Sequence, residues 1–392
     1  MRGDGDVSFW TQLPRPIIGL APMDGVTDPV FRRIVASQGV PDVTFTEFTH
    51  VSDISRGPEY LLESLIYSEA ERPVVAQIYG KTPELFYQAA HVVCELRFDG
   101  LDINMGCPSK NVASSGSGAA LIKTPELAHA IIRAVKEGIR DWAGGQSLES
   151  AGLKRSRSEM IERMNEQRQN RPAIGRRPIP WSVKTRLGCD AVVVTKWVEH
   201  LLEERPAAIT IHGRTLAQMY RGEADWTAIA AAAEVARGTD TLILGNGDVR
   251  SMSDAARLVR ESSVQGVLVG RATLGSPWFF RFKEQARVAS RMVGEQGAMV
   301  IDPVDDIPLR QRFAVMLDHA RQFENFVNAD QFRRMRKHLG WYCKGFPHAA
   351  AMRARMFQAS SVRDVEQTVT DFMGDDFLSS LVSGREPVGM PA

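Results

Sequence analysis

Several residues stand where an apolar run of the chain stops, and their types could do chemistry there. Cys107 lies between Gly106 and Pro108, directly after the run GLDINMG. A thiol in that setting differs from Cys94, Cys189 and Cys343, which read as small buried hydrophobes. Lys184 sits inside the apolar run PWSVKTRLG, where an unpaired ammonium is costly to bury, so packing alone explains it poorly. Pro22, Met23 and Asp24 end one run, Gln77 lies in another, and Asn104, Arg186, His212 and Arg214 end others. Glu47 ends a further run and has no role readable from the sequence. The last two run ends, LGNGDV (244–249) and VGRATLG (269–275), are glycine-rich and lead into helix-like segments. Glycine lets a backbone approach a ligand, and a helix N-terminus offers N–H groups to an anion. With Arg271 beside the second, the two loops together favour a phosphate-bearing cofactor.

Eight β-rich runs carry these residues: 17–23, 43–48, 73–80, 100–106, 180–188, 207–213, 241–247 and 266–270. Most are continuously apolar, as parallel strands covered on both faces are. Helix-like segments near 28–38, 83–96, 125–140, 191–203, 226–236, 252–261 and 277–290 alternate with them; 53–69 is a longer connection. The alternation favours an α/β (β/α)₈ barrel or a long doubly wound sheet; the span 17–290 is close to barrel size, and polar groups gather at the C-terminal strand ends, where barrel enzymes build their sites. Two segments fall outside the repeat. Residues 141–180 are too long for a connecting loop, and 151–180 holds eight basic residues (Lys154, Arg155, Arg157, Arg163, Arg168, Arg171, Arg176, Arg177) against three acidic ones. The tail reads as a small all-helical domain, so the expected division is 1–300 and 301–392.

The 392 residues carry 48 Lys+Arg against 47 Asp+Glu, a net charge of +1 that hides segregation. The stretch 331–357 has seven basic residues and no acidic one, with Trp341, Tyr342 and Phe346 among them. A basic helical face with aromatics suits an RNA backbone. No window approaches a spanning helix and no secretory signal opens the chain, so the expectation is a cytoplasmic protein with no membrane partner. The four cysteines have no zinc-site spacing, and no metal is expected.

The chain resembles the tRNA-dihydrouridine synthases, and within them the bacterial B-type, NifR3-like members. The resemblance rests on LAPMDGVTD (20–28), LDINMGCPSK (101–110), VKTRLG (183–188), TIHGRT (210–215), GNGDV (245–249), GRATLGSPWFF (270–280) and, in the tail, RKHLGWYCKGFP (336–347). It implies a TIM barrel holding FMN at its mouth and a helical RNA-binding domain. By that resemblance, Pro22, Met23 and Asp24 line the isoalloxazine, Gln77 and Lys184 hydrogen-bond it, and His212 sits close. Asn246, Gly247, Asp248, Gly270 and Arg271 hold the ribityl phosphate, Asn104 and Arg186 hold the target uracil, and Cys107 donates the proton. Arg333, Arg336 and Lys337 contact the RNA. NADPH, or NADH, is the implied reductant, tRNA the implied substrate (ribosomal RNA the alternative), and a monomer the implied state. The chemistry agrees: reducing a uracil C5–C6 bond needs a hydride that only a cofactor supplies and an acid still protonated at neutral pH, which a thiol is. Asp24 departs from the alanine of many relatives. SSGSGAALI (114–122) stands where the family has a loop over the site, and 141–180 has no counterpart in the family pattern. An FMN barrel acting on a small molecule such as a pyrimidine is the alternative of a different class.

Overall fold

The structure is a computed structural model that describes residues 8–109, 112, 115–168, 175–291, 307–327 and 329–374. Lys110, Ser114, Arg171 and the expected boundary near residue 300 lie outside the described residues.

Nine parallel strand segments make eight staves: β1 (Ile17–Leu20), β2 (Thr44–Phe45), β3 (Thr49–His50), β4 (Val74–Tyr79), β5 (Gly100–Met105), β6 (Trp181–Arg186), β7 (Ala208–His212), β8 (Leu242–Asn246) and β9 (Gly266–Val269). β2 and β3 are two parts of one stave, since both pair with β4. The ring closes because β1 pairs with β2 on one side and β9 on the other. All eight expected runs are strands, and the fold is the (β/α)₈ barrel.

The runs are continuously apolar because both faces are covered. Trp10, Ile17, Phe45, Val75, Ala208, Leu244 and Leu268 fill the interior near the strand starts, where Trp10 plugs the barrel. Outward-facing residues such as Val74, Ile78, Ile103, Val183 and Ile209 pack under the helices. Proline occupies the first turn of the helices Pro29–Gln38, Pro83–Glu95 and Pro125–Ala143, where its missing N–H removes no helical bond.

The insertion forms the helix Arg155–Gln167, anchored by buried Ile161. It connects a helix to β6, so it lies at the end where strands begin, opposite the barrel mouth. Three of its arginines serve the barrel itself. Arg157 donates to Gly57 O, and Arg168 donates to Leu96 O (2.8 Å), pairs with Glu69 (2.9 Å) and lies 4.4 Å over the Tyr67 ring. Arg176 pairs with Glu95 (3.2 Å) beside the Trp142 ring.

The chain divides into two compact units, one of Met1–Ala272 with Phe280–Asp302, the other of Thr273–Phe279 with Pro303–Ala392. The second contains the helices Leu309–Phe326, Arg336–Tyr342, Ala349–Met356 and Val362–Met373 around Phe313, Met316, Leu317, Phe332, Leu339 and Val365. Thr273–Phe279, expected to belong with the barrel, packs here instead: Trp278 meets Tyr342 at 6.4 Å and Lys344 Nζ donates to Leu274 O at 3.2 Å. The aromatics of the basic stretch are largely core. Tyr342 is buried, and Phe346 makes edge contacts with Phe313 and Phe372.

Candidate active site

Strand register gathers the sequence-predicted residues into a ring. Gln77 lies beside Asp102, Asn104 beside Lys184, Arg186 beside His212, and His212 beside Asn246. All point to the mouth end of neighbouring staves.

A hydrogen-bond relay sets the floor. Asp102 is fully buried; its Oδ1 accepts from Ser182 Oγ (2.6 Å) and its Oδ2 from Gln77 Nε2 (2.7 Å). The carboxylate therefore fixes the Gln77 amide, whose Oε1 accepts from Asn104 Nδ2 (2.9 Å). Asn104 Oδ1 then accepts from Gly106 N (3.0 Å) and Cys107 N (2.8 Å), which shapes the turn that presents the thiol. Burial pushes Asp102 up to about 6, against the pull of Ser182, Gln77 and Lys184. Asp102 was not singled out from sequence, though an aspartate inside an apolar run was the signal. Most of the Asn104 amide serves this relay, with one N–H to spare for a ligand.

Cys107 is 7% exposed, and burial raises its thiol above the ordinary value. The chain after it closes around it. Gly118 has φ +62, and a Cβ there would lie 3.2 Å from Cys107 Cβ and 2.9 Å from Val112 Cγ1, so only glycine fits. Ala119 and Leu121 are fully buried. The 115–122 part of the expected covering loop is thus packed against Cys107.

The cations divide into tethered and untethered. Arg186 is 2% exposed and donates to Gly106 O (2.6 Å), Thr215 O (3.2 Å) and Met219 O (3.0 Å), tying the Cys107 turn to the loop after β7. That loop holds Met219 at φ 54 and projects Tyr220, 62% exposed, with its ring 6.0 Å from the Arg186 guanidinium. Lys184 has no carboxylate within ion-pairing distance among the described residues. Burial, with Arg186 nearby, lowers its ammonium to about 8 despite Asp102 and Cys107.

His212 is held far below its ordinary pKa by burial and by Lys184, Arg186, Arg214 and Arg271, so the ring is neutral. Arg214 Nη1 lies 3.3 Å from Nε2 and can only donate, which leaves the ring proton on Nδ1. Arg214 also reaches Asp248 Oδ2 (2.7 Å), while Asp248 Oδ1 accepts from Arg271 (2.6 Å). Burial opposes charge on Asp248, but the Ala224 N–H bond and these arginines hold it below its ordinary value. The carboxylate thus aims Arg271, which stays 60% exposed. Asn246 is anchored through Nδ2 to Leu268 O (2.8 Å). At Gly247, φ +120, a Cβ would lie 2.8 Å from Ala224 Cβ and 3.1 Å from His212 Cδ2.

The loop after β1 is braced from behind. Met23 N donates to Thr27 Oγ1 (3.0 Å), Arg32 donates to Thr27 O (2.7 Å), and Arg32 pairs with fully buried Glu71 (2.8 Å). Pro22 and Met23 are half-buried and Asp24 is exposed. A Cβ on Gly270 would sit 3.2 Å from Met23 Sδ, so this loop meets the end of β9. Burial, with Asp28 and Asp24 adding to it, raises Glu47 to about 7, against the pull of Arg32 and the Gly25 N–H.

Arg333, Arg336 and Lys337 lie on the other unit. Arg333 is exposed with no partner among the described residues, whereas Arg336 donates to Ala359 O (2.8 Å) and Gln358 O (3.3 Å). Arg353 and Arg355 are likewise engaged, with Cys343 O and Asp371.

The family model "Dihydrouridine synthase (Dus)" matches residues 19–141 and 158–377. Its gap covers only part of 141–180, so the helix Arg155–Gln167 lies largely within the family pattern, contrary to the expectation that the whole segment stands outside it. The chain is 31% identical over 370 residues to "Probable tRNA-dihydrouridine synthase 2" of Bacillus subtilis, covering 93% of this chain and 96% of the relative. It is 29% identical over 372 residues to "Probable tRNA-dihydrouridine synthase" of Staphylococcus aureus, covering 93% and 95%. Among solved structures, that of DHODH in complex with ferulenol from Eimeria tenella aligns at TM-score 0.46 and 12% identity, over 74% of this chain and 85% of that one.

Proposed function

The chain belongs to the dihydrouridine synthase family, FMN-dependent enzymes that reduce uridine in tRNA to 5,6-dihydrouridine, and from that premise we propose how its residues divide the work. The donor set fits FMN: an unpartnered ammonium at Lys184, an Nδ1–H on neutral His212, a backbone at Gly247 with no room for a side chain, and an exposed Arg271 aimed by Asp248. Lys184 would hold the pyrimidine edge of the flavin and offset the negative charge gained there on reduction, and Gln77, Pro22, Met23 and Asp24 would line the ring. Asn246, Gly247, Gly270 and Arg271 take the ribityl phosphate. When bound, FMN would supply the hydride for C6 of uracil, with NADPH or NADH as its reductant.

Cys107 gives its proton to C5. Its raised pKa keeps the thiol protonated at neutral pH, and the Asn104 relay holds it in place. The spare N–H donors of Arg186 and Asn104 face the uracil carbonyls, and Tyr220 flanks the base. The base must leave its stack to reach the mouth, and these contacts offset the unstacking. Arg333 and Lys337 contribute phosphate contacts from the helical unit. The enzyme works as a cytoplasmic monomer. No described helix is long and apolar enough to cross a membrane.

The observation that carries this reading is that Asn104, whose Oδ1 holds the Cys107 turn, lies beside Lys184 in the β5–β6 register, and Lys184 has no carboxylate within ion-pairing distance among the described residues. The test is to purify the protein, record its flavin spectrum and incubate it with NADPH and unmodified tRNA. Dihydrouridine in the tRNA is expected; turnover of a free pyrimidine with no change in tRNA overturns the reading.

A further inference from the structure

On the outer wall of the barrel, away from the mouth, three side chains have the chemistry of a metal site. His129 lies on helix Pro125–Ala143, and His200 and Glu203 lie on helix Val194–Glu203. One ligand atom from each falls within 4.8 Å of the other two. His129 Nε2 is 3.7 Å from Glu203 Oε2, and His200 Nδ1 is 3.6 Å from Glu203 Oε1. Zinc bound tetrahedrally at about 2.0–2.1 Å spaces neighbouring donors about 3.3 Å apart. Closing on a metal therefore takes a short inward movement. Glu203 is 63% exposed and can make it. His200 and Glu203, three residues apart, share one helix face.

A second observation comes from behind the His129 ring. Its Nδ1 lies 3.1 Å from Glu204 Oε1, and that carboxylate is held by Arg133 (2.8 Å) and Lys136 (2.9 Å). A carboxylate oxygen accepts, so Nδ1 donates to Glu204 and Nε2 is the ring nitrogen turned to Glu203. A carboxylate behind an imidazole is also the arrangement that orients histidine ligands on metals. Glu203, unlike Glu204, has no Lys or Arg within ion-pairing distance among the described residues.

We propose that His129, His200 and Glu203 bind a divalent transition metal of the zinc class, with water completing the coordination. Two imidazoles and one carboxylate suit zinc, whereas magnesium and calcium favour all-oxygen sets. The metal pins the helix that follows β5 to the helix that follows β6. β5 leads into Cys107, and β6 carries Lys184 and Arg186. The site is therefore a structural clamp on the two staves that supply the chemistry.

The test uses the full-length, flavin-loaded protein stripped with a chelator. It is titrated with zinc chloride by calorimetry and with cobalt(II) by visible absorption. One equivalent of zinc is expected to bind, and cobalt to show four-coordinate bands. His200→Ala and His129→Ala should each weaken zinc binding about 100-fold or more, and Glu204→Gln about 10–100-fold. Zinc should raise the Tm of the wild type and not that of His200→Ala. Unchanged flavin content and uridine reduction in His200→Ala report that it folds. Zinc affinity and cobalt bands that are the same in the wild type and both histidine variants overturn the proposal, as does a wild type that binds no zinc.

Discussion

The two ends of the barrel use arginine in the same way but differ in what is left over. At the mouth, Arg186 and Arg214 donate to loop carbonyls, including Gly106 O and Gly222 O. At the opposite end, Arg157, Arg168 and Arg176 donate to Gly57 O, Leu96 O and Gln146 O. Both sets brace irregular backbone. The far end pairs Arg168 and Arg176 with Glu69 and Glu95, and the mouth pairs Arg214 and Arg271 with Asp248, but the mouth also buries Lys184 with no carboxylate within ion-pairing distance among the described residues. At the mouth a buried lysine without a carboxylate partner marks the ligand site better than a count of basic residues does, and Arg157, Arg168 and Arg176 of the insertion act as braces.

Variants at the two ends should therefore fail in different ways. Cys107→Ala should lower the rate of uridine reduction about 10²–10⁴-fold with flavin content unchanged, measured as single-turnover dihydrouridine formation. Lys184→Ala should release FMN, read as lost flavin absorbance after gel filtration. Because Lys184 is positive only below about 8, wild-type FMN affinity should hold near neutrality and fall as pH rises through that value. At the far end, Arg168→Ala should cost about 2–3 kcal/mol in denaturant unfolding, because it breaks a largely buried pair, yet leave the Kd for tRNA unchanged. Weakened tRNA binding with normal stability in that variant would erase the contrast between the ends.

Two smaller effects belong to the helical unit. Arg333→Glu should weaken tRNA binding several-fold and flatten the salt dependence by about one phosphate contact. Arg336→Ala should lower stability instead, since its donors hold Ala359 O and Gln358 O. His319 and His338 are fully buried and held well below their ordinary pKa, His319 at about 3, in each case first by burial. The unfolded chain binds protons at these imidazoles near pH 6.5 and the folded unit does not. Its stability should be full above that pH and decline as pH falls toward 3, visible as an acid shift of its melting transition.

Much of this was legible in the sequence for a physical reason. Strands covered on both faces must be continuously apolar, so a lysine, cysteine or histidine at such a run's end stands out. Cys107, Lys184 and His212 were found that way. What was not legible depends on partners far along the chain. That Arg157 would meet Gly57, or Arg168 Glu69, cannot be read from local spacing, so a brace read as a basic patch. For the same reason Tyr342 and Phe346 read as surface aromatics, though they belong to the core of the helical unit. Asp102 and Tyr220 gain meaning only from register and from a loop fold. Thr273–Phe279 follows the last stave in sequence, but its packing against Trp341 and Tyr342 is a tertiary fact.

The most direct test is to map dihydrouridine position by position in tRNA from cells with the gene, without it, and complemented with wild type or Cys107→Ala. The account predicts that at least one tRNA position loses dihydrouridine without the gene, regains it with the wild type and does not regain it with Cys107→Ala. Identical tRNA maps with and without the gene would contradict it.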